Sequence, residues 1–501
     1  MTIADGSAST ADLDPADWAQ ARAQGHKMLD SMMDFIENVR DRPVWEPMPP
    51  EVRAHFRETL PDAGQGLDAV FEEFSTFIQP YSTGNVHPRF MGWVHGGGTV
   101  TGMLAEMLAA GLNANLGGRD HAPIAVEQQI VQWLRDRFGL PDAASGLFVT
   151  GSSMANQIAV WVARNKALGP DVRENGVTTE RGLALRAYTS AAAHCCVAQA
   201  MDLAGLGTAA LRIIPVDDSH RMDLRALQQA METDRREGLV PFFVAATAGT
   251  VDVGAIDDLD AVATICRAQN AWFHVDGAFG ALAAFSESKA SLLAGIERAD
   301  SIAFDFHKWG QVPYDAGFVM VRDGAAHRAT FSAPANYLGR ASRGLAGGDI
   351  WPCDFGPDLS RGFRALKTWF TLKTYGATGL GAVVDHTCRL ASHLQGLIES
   401  TPQLELLAPV ALNIVCFRYI CADADRVNAE IVMSLQESGI AAPSTTRVGG
   451  KLAIRAAIMN HRTRLEDVDA LVQAVIMLGS AEVERRVAPT VEATRILAEA
   501  S

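Results

Sequence analysis

Residues 301–310, SIAFDFHKWG, form an apolar strand-like run that ends in His307 and Lys308. A lysine at the buried end of a strand is unusual, because lysines are rarely fully buried. Burial generally lowers the pKa of an ammonium group, and the free amine is the nucleophile that forms an imine with an aldehyde. The run therefore predicts either an imine-forming lysine or an ordinary strand-end lysine that reaches solvent.

A second run, residues 273–280, FHVDGAFG, places Asp276 at the end of an apolar strand. A carboxylate in that position can keep a pyridine-type cofactor ring protonated, and such a ring accepts electrons well. Asp276 could equally be a helix cap or a turn residue.

A third run, residues 149–156, VTGSSMAN, turns from a strand through Ser152 and Ser153 into an apolar helix. Backbone N–H groups at a helix N-terminus, together with two hydroxyls, suit a phosphate group. The alternative is a plain serine cap. The run is not a Walker loop, because the Gly-Lys-Ser/Thr ending is missing.

Two further strand ends carry His194, in YTSAAAHCCV, and Thr247, in ATAGT. The imidazole of His194 could stack on a cofactor ring, or it could be a core histidine. Thr247 alone indicates only turn chemistry. Because ligands bind at the carboxyl ends of parallel strands, we expect all these residues to meet in one site.

The fold class that this pattern predicts is α/β, with a mainly parallel sheet. Helical segments at about residues 100–114, 122–138 and 153–167 alternate with short strand-like runs. Such alternation predicts a sheet covered by helices on both faces. Residues 14–40 predict an amphipathic helix in an arm, and residues 323–360 predict an irregular segment. Residues 363–398 predict a return to helix.

Composition excludes several classes of protein. The 501 residues are 48% apolar with a net charge of −15, which does not favour a nucleic-acid binder. The N-terminus does not resemble a secretory signal, and no apolar run approaches the ~18 residues of a membrane span. The seven cysteines lack metal-ligand spacing, so we expect reduced thiols in a cytoplasmic protein. The sequence contains no His-x-x-x-His motif with a flanking Glu, so this pattern does not indicate a metalloenzyme.

Taken together, these motifs resemble the group II pyridoxal-phosphate (PLP) dependent decarboxylases, which include aromatic-L-amino-acid and glutamate decarboxylases. The most specific match is His307-Lys308-Trp309, whose lysine lies 32 residues after Asp276. HPRF at residues 87–90 and RAAIMNHRT at residues 455–463 also match. The resemblance extends from about residue 80 to residue 480.

The resemblance implies an aspartate-aminotransferase-type (type I) fold with a helical N-terminal arm and a smaller C-terminal α+β domain. We expect the arm at residues 1–85, the large PLP-binding domain at residues 86–379, and the small domain with its helical tail at residues 380–501. Members of the family are homodimers with the active site at the interface. They carry a mobile catalytic loop, here at about residues 325–355.

The resemblance also implies roles for single residues. Lys308 forms the Schiff base, Asp276 pairs with the pyridine nitrogen, and His194 stacks on the ring. The cofactor-binding set is then Ser152, Ser153, His194, Thr247, Asp276, His307 and Lys308. Tyr337, in the loop, delivers a proton to Cα after carbon dioxide leaves, so the catalytic set is Lys308, Tyr337, His194 and Asp276.

Some positions depart from the family, and the reaction and substrate stay open. Asp305 stands where aromatic-specific members have Asn, and Met154 stands where many members have Glu. Asn113 and Asn115 lie where aromatic-specific relatives have apolar contacts, so an aromatic substrate is in doubt. The expected activity is decarboxylation of an aromatic, acidic or aliphatic L-amino acid. Transamination, oxidative deamination, a Cα–Cβ lyase reaction and a retired PLP-binding scaffold remain alternatives.

Overall fold

A computed structural model describes residues 13–332, 339–348 and 350–499, with side chains up to residue 485. Its helices are α1 Trp18–Glu37, α2 Pro50–His55, α3 Leu67–Glu73, α4 Val100–Leu112, α5 Ala122–Phe138, α6 Ser152–Leu168, α7 Val172–Asn175, α8 Glu180–Ala184, α9 Cys196–Leu203, α10 Leu224–Arg236, α11 Leu259–Gln269, α12 Gly324–Phe331, α13 Arg364–Ser400, α14 Ala424–Glu437 and α15 Leu465–Glu499. Its strands are β1 Phe90–Met91, β2 Ser145–Val149, β3 Leu185–Ser190, β4 Leu211–Ile214, β5 Val240–Thr247, β6 Trp272–Asp276, β7 Ser301–Asp305, β8 Gly317–Val321, β9 Leu404–Leu406, β10 Ile414–Tyr419, β11 Ala442–Val448 and β12 Lys451–Ala457.

Seven strands form the large sheet, in the order β2-β8-β7-β6-β5-β3-β4. Neighbours from β7 to β4 are parallel, whereas β8 is antiparallel to both β7 and β2. Strand β2 therefore runs in the same direction as β7, and the carboxyl ends of six strands lie at one edge. The expected α/β fold with a mainly parallel sheet is confirmed.

The sequence of the central strands explains their position. Strands β6 and β7 consist of WFHVD and SIAFD, and β7 is buried throughout. Continuous apolar runs of this kind are typical of parallel strands covered on both faces. The polar side chains they do contain, such as His274 and Asp276, must find partners inside the protein.

A smaller sheet has the order β1-β11-β12-β10-β9. Its first strand comes from the HPRF region and pairs in parallel with β11, so the chain before the large sheet is tied to the C-terminal part. Helix α13 connects the two regions and kinks at Gly376, whose φ of 69° suits a residue without Cβ. The helix crosses residue 380, and the domain bounds given above remain a prediction.

The segment at residues 323–360 was expected to be irregular, and this was wrong for its first part. Residues 324–331 form α12, which begins where the side chain of Asp323 accepts a hydrogen bond from the N–H of Ala326. An Asp cap of this kind stabilises a helix start, and here it outweighs a weak helical pattern. Tyr337 lies outside the described residues.

The N-terminal helix α1 has an Asp17 cap and no buried residue. Trp18 at its start is 62% exposed. Among the residues that the structure describes, no helix combines the length and the apolarity needed to cross a membrane.

Candidate active site

A cavity of about 370 Å³ opens at the carboxyl edge of the large sheet. Seven of the eight residues predicted for the site line it, namely Ser152, Ser153, His194, Thr247, Asp276, His307 and Lys308. They come from the ends of β2, β3, β5, β6 and β7, because strands that run in one direction present their last residues at one edge. The eighth, Tyr337, is not among the described residues.

Lys308 follows the end of β7 and forms an ion pair inside the cavity. Its Nζ donates to Oδ2 of Asp305 at 2.9 Å, and its side chain is 21% exposed. The N–H of Gly96 donates to the carbonyl of His307, and a Cβ at Gly96 would lie 2.4 Å from the carbonyl oxygen of Lys308. The backbone around the lysine is therefore held by a tightly packed neighbouring loop.

Asp276 ends β6 and is buried beside the cavity. It lies next to Thr247 of β5 in the sheet register. Its Oδ1 accepts from the N–H of Ala278 at 3.1 Å, and its Oδ2 accepts from Nδ2 of Asn156 at 3.1 Å. Burial raises the pKa of this carboxyl above its ordinary value, while the charge of Lys308 lowers it.

The turn from β2 into α6 brings two serine hydroxyls and a helix N-terminus to the cavity. Gly317 of β8 makes room for this turn, since a Cβ there would stand 2.3 Å from Cα of Gly151. The first N–H groups of a helix lack partners within it and attract anions. The hydroxyl of Ser152 donates to Oδ2 of Asp305 at 2.7 Å, so a carboxylate lies close to these donors.

His307 is buried, and burial lowers its pKa to about 4. Its Nδ1 accepts from the N–H of Ala316 at 3.0 Å, and its ring packs against that of Tyr314 at a tilt of 33°, with centroids 4.3 Å apart. The imidazole is therefore neutral near pH 7. It belongs to the wall of the cavity.

His194 is exposed at the cavity, and its Nδ1 accepts from the N–H of Cys196 at 3.2 Å. This contact fixes the ring at the start of α9. Thr247 is held differently, because its N–H donates to Oδ2 of the buried Asp257 at 2.7 Å. Burial raises the pKa of Asp257 to about 6.

Several cavity residues were not identified from the sequence. Asp305 was noted only as a departure from the family, although its place three residues before Lys308 at a strand end could have indicated a contact. His95 and Tyr314 contact each other edge to face, with centroids 5.7 Å apart. They come from loops more than two hundred residues apart in the chain, and no local pattern indicates that proximity.

Arginine is the usual partner of a substrate carboxylate, but four arginines of this chain are engaged with other groups. Arg455 lines the cavity, yet its guanidinium donates to the carbonyls of Gly92, Val251 and Asp252. Arg361 forms a buried pair with Glu127 at 2.7 Å. Arg89 pairs with Asp467, and Arg364 pairs with Asp315.

The geometry fits one cofactor chemistry. A lysine amine suits an aldehyde, a buried carboxylate with hydrogen-bond donors behind it suits a protonated pyridine nitrogen, and a helix N-terminus with two hydroxyls suits a phosphate. PLP carries these three groups on one ring. The mainly parallel sheet and this cavity define the class of PLP-dependent enzymes.

Comparison with known proteins narrows the class to one family. The family model "Pyridoxal-dependent decarboxylase conserved domain" matches residues 49–420. The chain is 32% identical over 460 residues to aromatic-L-amino-acid decarboxylase of Bacillus atrophaeus, covering 90% of this chain and 93% of the relative. It is 31% identical to L-2,4-diaminobutyrate decarboxylase of Rhizobium meliloti, covering 83% of each chain. The chain belongs to the PLP-dependent decarboxylase family.

Solved structures agree with this assignment. The crystal structure of Oryza sativa TDC with PLP and tryptamine superposes with a TM-score of 0.86 at 25% identity, covering 94% of this chain and all of that one. The protein is therefore a PLP-dependent carboxy-lyase that decarboxylates an amino acid. The expected cofactor, reaction and type I fold are confirmed, and the relatives differ in the amino acid that their names give.

Proposed function

We propose that the cavity decarboxylates an L-amino acid with an uncharged side chain, with Lys308 as the residue to which PLP attaches. The observation that carries this proposal is that Lys308 and Asp276 face one cavity at the ends of neighbouring strands. The aromatic relative in Bacillus atrophaeus supports the substrate class. Asn113 and Asn115 do not line the part of the cavity that the described residues of one subunit form.

The charges around the cavity disfavour an acidic substrate. Two carboxylates, Asp276 and Asp305, line it. Among the described lining residues, the lysine and arginine side chains are those of Lys308, which is needed for the cofactor, and Arg455, which is engaged with carbonyls. A second substrate carboxylate would have no arginine partner from this set and would be repelled by like charge. Trp93, Val94 and Phe279 offer apolar surface instead.

When bound, PLP supplies an aldehyde that accepts an amine and a ring that accepts the electron pair released as carbon dioxide departs. We assign Asp276 to hold the proton on the pyridine nitrogen, and Ser152 and Ser153 with the start of α6 to hold the phosphate. His194 would contact the ring of the bound cofactor. Lys308 would hold the aldehyde of PLP through its amine.

The substrate proposal is tested by measuring carbon dioxide release from each of the twenty amino acids by the purified holoenzyme. We expect the highest kcat/KM with an aromatic or other uncharged side chain, and the lowest with glutamate and aspartate. Equal amounts of amine and carbon dioxide are expected, with no keto acid. A preference for glutamate would contradict the proposed substrate class but would leave the assigned role of Lys308 unaffected.

We assign the proton that reaches Cα to Tyr337, on the family resemblance alone. Tyr337→Phe removes this acid, so amine formation should fall by about a hundredfold or more. Carbon dioxide release should then continue partly through aldehyde and ammonia formation with dioxygen as the oxidant. The ratio of amine to aldehyde, measured by chromatography, checks this.

The control for this variant is Tyr419→Phe, which removes a buried tyrosine hydroxyl that contacts Ser480 in the small sheet region. It should leave the product ratio unchanged. An unchanged product ratio in Tyr337→Phe as well would remove Tyr337 from the mechanism.

We further propose a cytoplasmic homodimer with the active site at the subunit interface. Helix α1 has no buried residue, and Met107, Leu108 and Leu112 of α4 are exposed, so each presents apolar surface that a second subunit would cover. The cysteines of the described residues form no disulfide bond, which is the usual state in a reducing compartment. Sedimentation equilibrium at micromolar concentration tests the dimer, and a monomer mass there would contradict it.

A further inference from the structure

A line of buried polar side chains lies behind Asp276, on the side away from the cavity. Asn156, His274 and Ser301 are each about 1% exposed, and they do not line the cavity. Nε1 of Trp272 lies 2.8 Å from Oγ of Ser301, which lies 2.8 Å from Nδ1 of His274. Nε2 of His274 lies 2.6 Å from Oδ1 of Asn156, whose Nδ2 lies 3.1 Å from Oδ2 of Asp276.

The direction of donation along this line follows from its first member. The indole N–H of Trp272 can only donate, so Oγ of Ser301 accepts there. If Ser301 then donates to Nδ1 of His274, the ring carries its proton on Nε2 and donates to Asn156. The amide N–H of Asn156 is left to donate to Asp276, and every donor has an acceptor.

The reverse direction leaves a group unsatisfied. A protonated Asp276 would donate to a flipped Asn156 amide, which would donate to Nε2 of His274. The Nδ1–H of His274 and the indole N–H of Trp272 would then both donate to Ser301, whose hydroxyl proton would have no acceptor in this line. An unsatisfied buried polar group costs about 1–3 kcal/mol, so the first direction is favoured.

His274 is a neutral link in this line. Burial lowers its pKa to about 3, and its ring stacks on that of Phe243 with centroids 5.4 Å apart. A neutral imidazole has one donor and one acceptor nitrogen, which is what a one-directional line requires. The thiol of Cys196, 3.7 Å from Oδ2 of Asp276, adds a weak donor to the same oxygen.

We propose that Trp272, Ser301, His274 and Asn156 form a one-directional hydrogen-bond relay that holds Asp276 as an ionised acceptor for the pyridine nitrogen of the cofactor. The proposal rests on the proposed function, because it needs PLP in the cavity. The four residues are positioning residues, since they act through Asp276 and do not reach the cavity. Their effect should therefore depend on the presence of the ring nitrogen.

The test compares the binding of PLP with that of an analogue in which carbon replaces the ring nitrogen, using the apo-protein and no substrate. In Asn156→Asp, a second carboxylate beside Asp276 forces the two to share a proton and weakens the acceptor. We expect the dissociation constant for PLP to rise by about tenfold or more, and that for the analogue to change by less than about threefold. Ser301→Ala, a smaller change, should shift the two ligands in the same selective way.

Gln157→Glu is the matched control, because Gln157 is a buried neighbour on α6 that donates to the carbonyl of Ala200, away from Asp276. It makes the same amide-to-acid change and should affect both ligands equally. The relay would be overturned if Asn156→Asp and Ser301→Ala weakened the binding of PLP and of the analogue equally. It would also be overturned if neither variant weakened the binding of PLP. A wild-type chain that binds neither ligand would overturn the proposed function instead.

Discussion

Lys308→Ala is expected to abolish the visible absorbance of covalently held PLP and to lower decarboxylation by about a thousandfold or more. Lys308 lines the cavity, and we assign to its amine the capture of the aldehyde, for which alanine offers no nucleophile. Absorbance spectra of the dialysed holoenzyme and single-turnover rates of amine formation measure the two effects. Lys308→Ala also removes the ion pair between Lys308 and Asp305, so the measured loss of rate contains this contribution.

Lys451→Ala is the control for this variant. Lys451 pairs with Glu405 at 2.8 Å on an exposed surface of the small sheet, and such pairs contribute about 0–1 kcal/mol at most. Its spectrum and rate should equal those of the wild type. Retained colour and turnover in Lys308→Ala would show that another amine holds the cofactor.

Asp276→Asn should lower kcat by roughly a hundred- to several-thousandfold, because removing one partner of a buried charge pair costs about 3–5 kcal/mol. The amide cannot hold the proton on the pyridine nitrogen, so the ring accepts electrons less readily. KM should change less than kcat, since in the proposed arrangement Asp276 pairs with the cofactor and not with the substrate. Steady-state kinetics with saturating PLP measure both constants.

Asp258→Asn provides the matched control for the same chemical change. Asp258 caps helix α11, where its side chain accepts from the N–H of Ala261 at 3.0 Å, and asparagine caps a helix about equally well. We expect wild-type kinetics from it. If Asp276→Asn were equally active, the pyridine nitrogen would have no need of a carboxylate in this cavity.

The sequence could predict which residues line the cavity, because the pattern that marks each of them is local. Lys308, Asp276 and Ser152 each follow an apolar strand, and the parallel arrangement brings strand ends to one edge. The resemblance of these motifs to those of a known family then indicated the family, and the resemblance implied the type I fold. Substrate contacts were harder to predict from the sequence, because they depend on which loops meet at the cavity.

The sequence failed where a long-range contact decides the role of a residue. Ser152 was assigned to a phosphate and this role stays a prediction, but the contact of its hydroxyl with Asp305, a residue 153 positions later in the chain, was not predicted. Asn156 and His274 belong to recognisable motifs, but no pattern indicates that they touch each other and Asp276. The start of α12 was missed because an Asp cap outweighs a weak helical pattern.

The central claim is that the amine of Lys308 holds the cofactor, and the most direct measurement is to trap that bond. Borohydride reduction of the holoenzyme fixes PLP on its lysine, which then resists trypsin. Peptide mass mapping should find the added mass on one uncleaved peptide, residues 299–322. A label on a different lysine, or no label on a coloured enzyme, would contradict the account.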